Sequence, residues 1–461
     1  MPQWNRDTAK HLLARTLFGY TKKDLDTALS YLSLEDFVNK ELLADKPLPA
    51  PPGDWINEVP VANDPNQGTR YQAFVSWWYN LMLTEKTSMR EKLVLFLHNH
   101  YTSQRSKVTY PQHMYMQQNL FRKNVFGNLR QLTKDVTIDP AMLIYLDGRQ
   151  NNKNVPNENY ARELMELFTL GIGNYTETDI KQAAKALTGW TVSGLNAQYD
   201  STRFDSTNKT FLGKTGNFGY KEIVDTIFAK NEASQFLCRK LYEEFVFYKA
   251  DETFVSKMAK VMRDNDYNLR PVLFFMLTSE EFYKPEIRGA KIKSPTELLI
   301  GSLKLFGVDT ITTTDFGYLS DLGRSLTQQL LEPPNVAGWP GQREWISSNT
   351  YPQRGGYTDS LVNGKRLSGA TLGFKIKPID YVRSFNDKVN PQLSEDAVKL
   401  VDELSTIYLP YVISDKRKKF LLDNLLDGTT IANWSTNTPM AEARIQKFLK
   451  AMLRLPEFQL T

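Results

Sequence analysis

Apolar side chains recur every three to four residues through most of this chain, the spacing of an amphipathic helix. Residues 71–84, 88–98, 111–135 and 222–247 carry the pattern most clearly, and each stretch predicts a helix. Start signals reinforce it. Thr21-Lys-Lys-Asp24 reads as a capping box, and Gly19 suits the end of a first helix beginning near Asp7. Ser294-Pro295-Thr296-Glu297 is a stronger start, because Ser294 can cap free amides, Pro295 loses no needed donor and Glu297 can reach back. Thr176-Glu-Thr-Asp179 opens another helix that Gly189 would close. Period-two alternation is scarce. The exception is 191–220, where Tyr199, Phe204, Phe211 and Phe218 sit among Asn, Gly, Ser and Thr, a composition suited to a small hairpin or an ordered loop. The expected fold is mainly α: one large multi-helix domain with a small β excursion.

Organisation along the chain follows from the breakers. An N-terminal helical pair at 1–46 should pack on the core, followed by a stiff Pro-rich linker at 47–53. The main helical core is expected over 54–341, a long loop over 342–379 and a C-terminal helical segment over 380–461, all within one integrated domain.

The segment richest in chemistry is Asn157-Glu-Asn-Tyr-Ala-Arg-Glu-Leu-Met-Glu-Leu-Phe-Thr-Leu-Gly171. Pro156 forces an extended entry, Asn157 is a good cap and Gly171 a good stop. At 100° per residue Tyr160, Leu164, Leu167 and Phe168 share a core-facing arc. Asn159, Glu163 and Glu166 share a neighbouring arc with Leu170, which suggests a partly covered polar face. Two carboxylates one turn apart on such a face suit a metal site or a general acid/base pair. Arg162 pairs in sequence with both Glu158 and Glu166 at i,i+4, so the same residues also read as a structural ion-pair network.

Three of the four histidines, His98, His100 and His113, fall within sixteen residues. His98-Asn99-His100 can chelate a metal if the backbone there is extended, whereas in a continuing helix the rings diverge by about 200°. With Glu163 and Glu166 these imidazoles would make a mixed nitrogen and oxygen shell for zinc, manganese or iron. Asn99 and the two rings can equally cap a helix end. A third constellation, 332–345, fixes a rigid loop with three prolines and two glycines. It carries Asn335, Trp339, Arg343 and Trp345, whose indoles can stack on a sugar ring or a cation, or plug the loop onto the core.

Composition narrows the field without choosing a function. Of 461 residues 41% are hydrophobic and 24% charged, as in ordinary globular chains. No apolar run spans a bilayer, and the N-terminus has no signal-peptide pattern, so a cytoplasmic protein is expected. The single Cys238, inside an amphipathic helix, reads as a buried inert thiol. A net charge of +5 spread over the whole chain gives no reason to expect nucleic acid. Phosphate loop, dinucleotide fingerprint, nucleophile elbow and His-Glu-x-x-His motif are all missing.

Taken together, several blocks resemble the bacterial family called domain of unknown function 1800. They are His11-Leu-Leu-Ala-Arg-Thr-Leu-Phe-Gly19, His98-Asn-His100, Asn157 to Gly171, Ala186-Leu-Thr-Gly-Trp190, Lys209-Thr-Phe-Leu-Gly213, Lys293-Ser-Pro295 and Pro333-Pro-Asn-Val-Ala-Gly-Trp-Pro340. The resemblance implies a largely helical protein. It also implies a partner resembling sulfatases and alkaline phosphatases, encoded nearby. Many relatives carry export signals, a pattern from which this chain departs.

Two functions are therefore expected. In one, a hydrolase-type site joins His98, His100 and Glu163 around a metal, with Glu166 as general base and Arg162 and Asn159 orienting them. In the other, the protein is a non-catalytic binding or assembly factor that acts with the neighbouring phosphatase-like protein or holds glycans on Asn335, Trp339, Arg343 and Trp345.

Overall fold

Three of the local start signals operate as expected, while at the fourth the helix begins one residue later than Asn157 predicts, with Glu158 at the cap position and the Asn157 side chain accepting from the Asn159 amide. Thr21, Thr176 and Ser294 each close a reciprocal capping box with Asp24, Asp179 and Glu297, opening the helices Lys22–Leu29, Glu177–Ala186 and Pro295–Leu305. A computed structural model describes residues 2–374 and 376–461, and among these it contains 21 α-helices and two small antiparallel hairpins.

The hairpins fall where the alternation and the turn residues are densest. Trp190–Ser193 pairs with Asn196–Tyr199, and Lys209–Phe211 pairs with Lys214–Gly216. Just before the first hairpin Gly189 adopts φ +93°, a left-handed position that only glycine takes without strain.

Two helices expected to be continuous are broken. The 111–135 stretch divides into Pro111–Lys123 and Leu129–Thr137, because the Asn128 side chain caps the second helix through the Gln131 amide at 3.0 Å. The 222–247 stretch divides into Tyr220–Phe228 and Asn231–Phe245. The supposed long loop at 342–379 is a correction as well. It holds a 14-residue helix, Thr350–Asn363, whose buried Tyr357 and Leu361 face the core and whose end is set by Gly364 at φ +69°. Its weak amphipathic pattern hid it, since Arg354 and Thr358 are buried alongside the apolar positions.

The core is continuous. Buried apolar side chains from Ala9 to Phe458 form one cluster, so residues 1–46 and 380–461 both pack into the interior of 54–341. The chain end is tied in by backbone pairing: the Thr461 amide donates to the Lys291 carbonyl at 2.8 Å, and the Lys293 amide to that of Gln459 at 2.8 Å. No helix among the described residues is long and apolar enough to cross a membrane. Cys238 is fully buried beside the Met262 sulfur, and burial pushes its thiol far above the usual range, consistent with an inert side chain.

Candidate functional site

The Arg90–His100 helix runs without a break through the three residues of the His-Asn-His motif. Helical geometry therefore sends His98 and His100 to different sides. His98 is fully buried between two indoles, with ring centroids 5.7 Å from Trp78 and 5.8 Å from Trp339. Neither of its nitrogens has a hydrogen-bond partner, and burial drives its pKa down to about 3. His100 lies against Phe96, Tyr101 and Phe168. Its Nε2 sits 2.9 Å from the Phe168 carbonyl, which can only accept, so the ring is the neutral Nε2–H tautomer. Burial first, and then the charge of Lys240, hold it at about 3.

Asn99 supplies the motif's other side-chain hydrogen bonds. Its Oδ1 accepts from the Trp339 amide at 2.7 Å, and its Nδ2 reaches the Trp339 carbonyl at 3.5 Å. Gly338 makes that approach feasible, since at φ +83° a Cβ there would lie 2.3 Å from Asn99 Oδ1. The motif is thus a joint. It ties the Gln67–Thr84 helix, the 332–345 loop and the 157–171 block to one helix end.

The 157–171 block forms a helix over Asn159–Glu163 and then widens into a π-helix over Leu164–Thr169, with the Leu170 amide bonding the Met165 carbonyl at 2.9 Å. Tyr160, Leu164 and Phe168 are buried as the periodicity implies, whereas Leu167, expected on the same arc, is only half-buried, and Met165 is buried because the π-turn shifts the register. The acidic face is more open. Arg162 pairs with both oxygens of Glu177 at 2.8 and 2.9 Å and with Glu158 at 3.3 Å, its side chain 36% exposed; Glu177 replaces the expected Glu166. Glu166 instead accepts from the Tyr175 hydroxyl at 3.0 Å. Glu163 is half-buried, and burial together with the charge of Glu166 raises its pKa. Asn159 is exposed, and its amide is held by the Asn157 side chain.

No group of three or more His, Cys, Asp or Glu side chains among the described residues is placed to hold a metal ion. The set His98, His100 and Glu163 is corrected accordingly. One ring is sealed between indoles, the other is spent on a carbonyl, and the carboxylate lies on a different element.

A different feature collects the family-like motifs. A cleft of about 370 Å³ opens between the Arg90–His100 helix, the 332–345 loop, the end of the Asn231–Phe245 helix and the start of Pro295–Leu305. Phe96, Trp339, Trp345 and Tyr248 supply aromatic walls, and Asn99, Gln328 and Gln342 supply amides. From the 157–171 block only Leu167 reaches it. Trp339 and Trp345 are each 5% exposed, edged onto the cleft rather than projecting from the surface. Asn335 and Arg343 point elsewhere and are exposed; the Asn335 side chain holds the loop's turn through the Ala337 amide at 2.9 Å. On this wall Gln342 takes φ of +53°, and Thr327 and Leu331, on the segment that carries the lining residue Gln328, take +74° and +64°.

Ionic groups form the cleft's floor. Lys92 is bonded to the Glu297 carboxylate and to the Leu17 carbonyl at 3.2 Å. Burial alone would raise Glu297, but the charge and hydrogen bond of Lys92 outweigh it and hold the carboxyl at about 2. Lys291 donates to the carbonyls of Glu243 and Glu244, and Arg15 to that of Val246 at 2.8 Å, so two cations satisfy the end of the Asn231–Phe245 helix. Lys92 and Glu297 are 205 residues apart, and nothing local in the sequence announces their meeting.

Comparison with known proteins adds the family alone. Residues 11–460 match the family model described as protein of unknown function (DUF1800). No curated protein and no solved structure matches the chain.

Proposed function

The chain belongs to the DUF1800 family, and from that premise we propose that it is a non-catalytic binding protein whose central cleft takes a small uncharged polar ligand, a saccharide. The charge balance of the cleft carries this reading. Lys92, Lys240 and Lys291 face Glu243, Glu244 and Glu297, so the lining is neutral overall. A cleft with indole and phenol faces, amide groups and no net charge suits a ligand with hydroxyl groups and an apolar ring face. The strained backbone at Gln342, within the 332–345 loop, supports a loop held in place for recognition.

Trp339 and Trp345 make the cleft self-reporting. Titration with a panel of neutral oligosaccharides should change intrinsic tryptophan fluorescence saturably, and Gln328→Ala should weaken the ligand that binds by about tenfold, one good hydrogen bond. If no neutral saccharide perturbs the indoles at a Kd of about 1 mM or tighter, this reading is wrong.

The hydrolase reading has one specific support. Glu163 is raised by burial and by Glu166, the condition of a general acid beside a base. Under it those two carboxylates and Arg162 act at the open face of the 157–171 block, away from the cleft. The partnership with a phosphatase- or sulfatase-like protein belongs with the binding reading and would be tested by co-purification.

A further inference from the structure

A second cavity, on another side of the Arg90–His100 helix, has the opposite electrostatic character. It encloses about 520 Å³ and is lined by Lys46, Arg90, Arg122, Lys123 and Arg270, with Asp45 as its one acidic lining residue. Three of these cations have carboxylate partners. Arg122 is fully buried and bidentate on Glu91 at 2.6 and 2.7 Å; Arg90 lies 3.1 Å from Glu85; Arg270 bonds Asp45 at 2.6 Å. The pairs also fix the arginines in place. Arg122 stacks over Trp77 and Arg270 over Phe126, each 5.0 Å from the ring centroid.

The other two cations have no carboxylate at ion-pair distance, although the charge of Lys46 acts on Glu85. The Lys46 amine reaches only the Thr87 carbonyl at 3.4 Å, and among the described residues no hydrogen bond or ion pair engages Lys123. Five cations against Asp45, Glu85 and Glu91 leave two positive charges at a concave site. Asn268 also lines it, and its side chain makes no cap to the helix it precedes. Leu48, Val125 and Pro271 give the rest of the wall an apolar surface.

We propose that this cavity binds a doubly charged tetrahedral anion, the phosphate group of a small phosphate monoester. Lys46 and Lys123 meet the anion, Arg90 and Arg270 set the shape of the site, and the apolar wall covers the organic part. Two uncompensated charges match a dianion, and the volume exceeds what a free ion needs and lies in the range of small-molecule pockets. The site is separate from the neutral cleft and does not depend on a saccharide binding there.

The test is calorimetric titration of the full chain with glycerol 2-phosphate, inorganic phosphate and sodium sulfate, ionic strength held constant with sodium chloride. The monoester is expected to bind with a Kd of about 1 mM or tighter and roughly tenfold better than inorganic phosphate. Lys46→Gln and Lys123→Gln should each weaken it about tenfold, while Lys419→Gln, at a surface amine paired with Asp423, leaves it unchanged. Melting temperature without ligand verifies folding, and removal of like charges should leave it equal or higher. Equal binding of sulfate, phosphate and monoester would reduce the site to a general anion trap and overturn the ester assignment. Absence of binding, or unchanged affinity in a folded Lys46→Gln/Lys123→Gln double variant, would overturn the site itself.

Discussion

The 157–171 face and the floor of the cleft each carry a cluster of opposed charge, and the two differ in how far water reaches them. On the 157–171 face, Arg162 and Glu177 are 36% and 68% exposed and bonded through three hydrogen bonds that include Glu158. Beneath the cleft, Lys92 and Glu297 are 4% and 15% exposed and tie together a helix start, a loop carbonyl and the cleft floor. The contacts are chemically alike. Their energetic roles are not, because a pair in water gains little, whereas breaking a buried pair strands a charge in a medium that cannot solvate it.

Removing Glu297 is the strongest way to test that contrast. Glu297→Ala leaves Lys92 without its carboxylate, deletes a counter-charge that also acts on Lys291 and Lys293, and opens the capping box of the Pro295–Leu305 helix. The expected loss is about 3–5 kcal/mol in denaturant unfolding, most of it from stranded lysine charge. A loss under about 1 kcal/mol would mean that water reaches the pair and would erase the distinction between the two clusters. The pH dependence has a definite sign. Glu297 falls from 4.5 unfolded to about 2 folded, so its contribution is present above pH 4.5 and is lost as pH falls toward 2.

These clusters were unequally legible in the sequence. Helix starts, the mainly α class, the hairpins near 191–220 and the buried stripe of Tyr160, Leu164 and Phe168 follow from neighbouring residues, and such signals can be read directly. The surface cluster was partly visible for the same reason, since Arg162 and Glu158 are four residues apart. Its second partner, Glu177, comes from the next helix and displaced the expected Glu166. The cleft floor was not legible, because Lys92 with Glu297, and Lys291 with the end of the Asn231–Phe245 helix, are contacts made only by the tertiary fold. His98-Asn99-His100 stood out for its composition, but its role depended on whether the helix continued, and it does.

His98 provides a medium-sized test between these extremes. It is a buried polar group with no partner at either nitrogen, so it contributes packing while carrying an unmet desolvation cost. Its pKa falls from 6.5 to about 3, which means the unfolded chain binds the extra proton over that interval and stability drops as pH falls through it. His98→Met keeps the volume between Trp78 and Trp339 and removes the titration. Stability at pH 7.5 should change by no more than about 1.5 kcal/mol, and acid unfolding followed by circular dichroism should move to lower pH. An acid transition that stays in place would show that His98 finds a proton-accepting partner in solution and is more than packing.

The smallest effect is expected at Arg162, within the segment whose sequence carries the most chemistry. If the 157–171 block were a buried ionic keystone, Arg162→Ala would cost as much as Glu297→Ala. With the guanidinium 36% exposed and its partners open to solvent, the expected loss is only about 0.2–1 kcal/mol and should shrink in high salt. A folded Arg162→Ala protein then becomes the useful reagent for separating the two functions. Under the binding reading its saccharide affinity is unchanged, because only Leu167 of this block reaches the cleft. Under the hydrolase reading it loses turnover while staying folded, since Arg162 lies beside Glu163 and lowers that carboxyl's pKa. A loss of several kcal/mol would instead reinstate the block as a keystone and place the molecule's ionic weight at its surface.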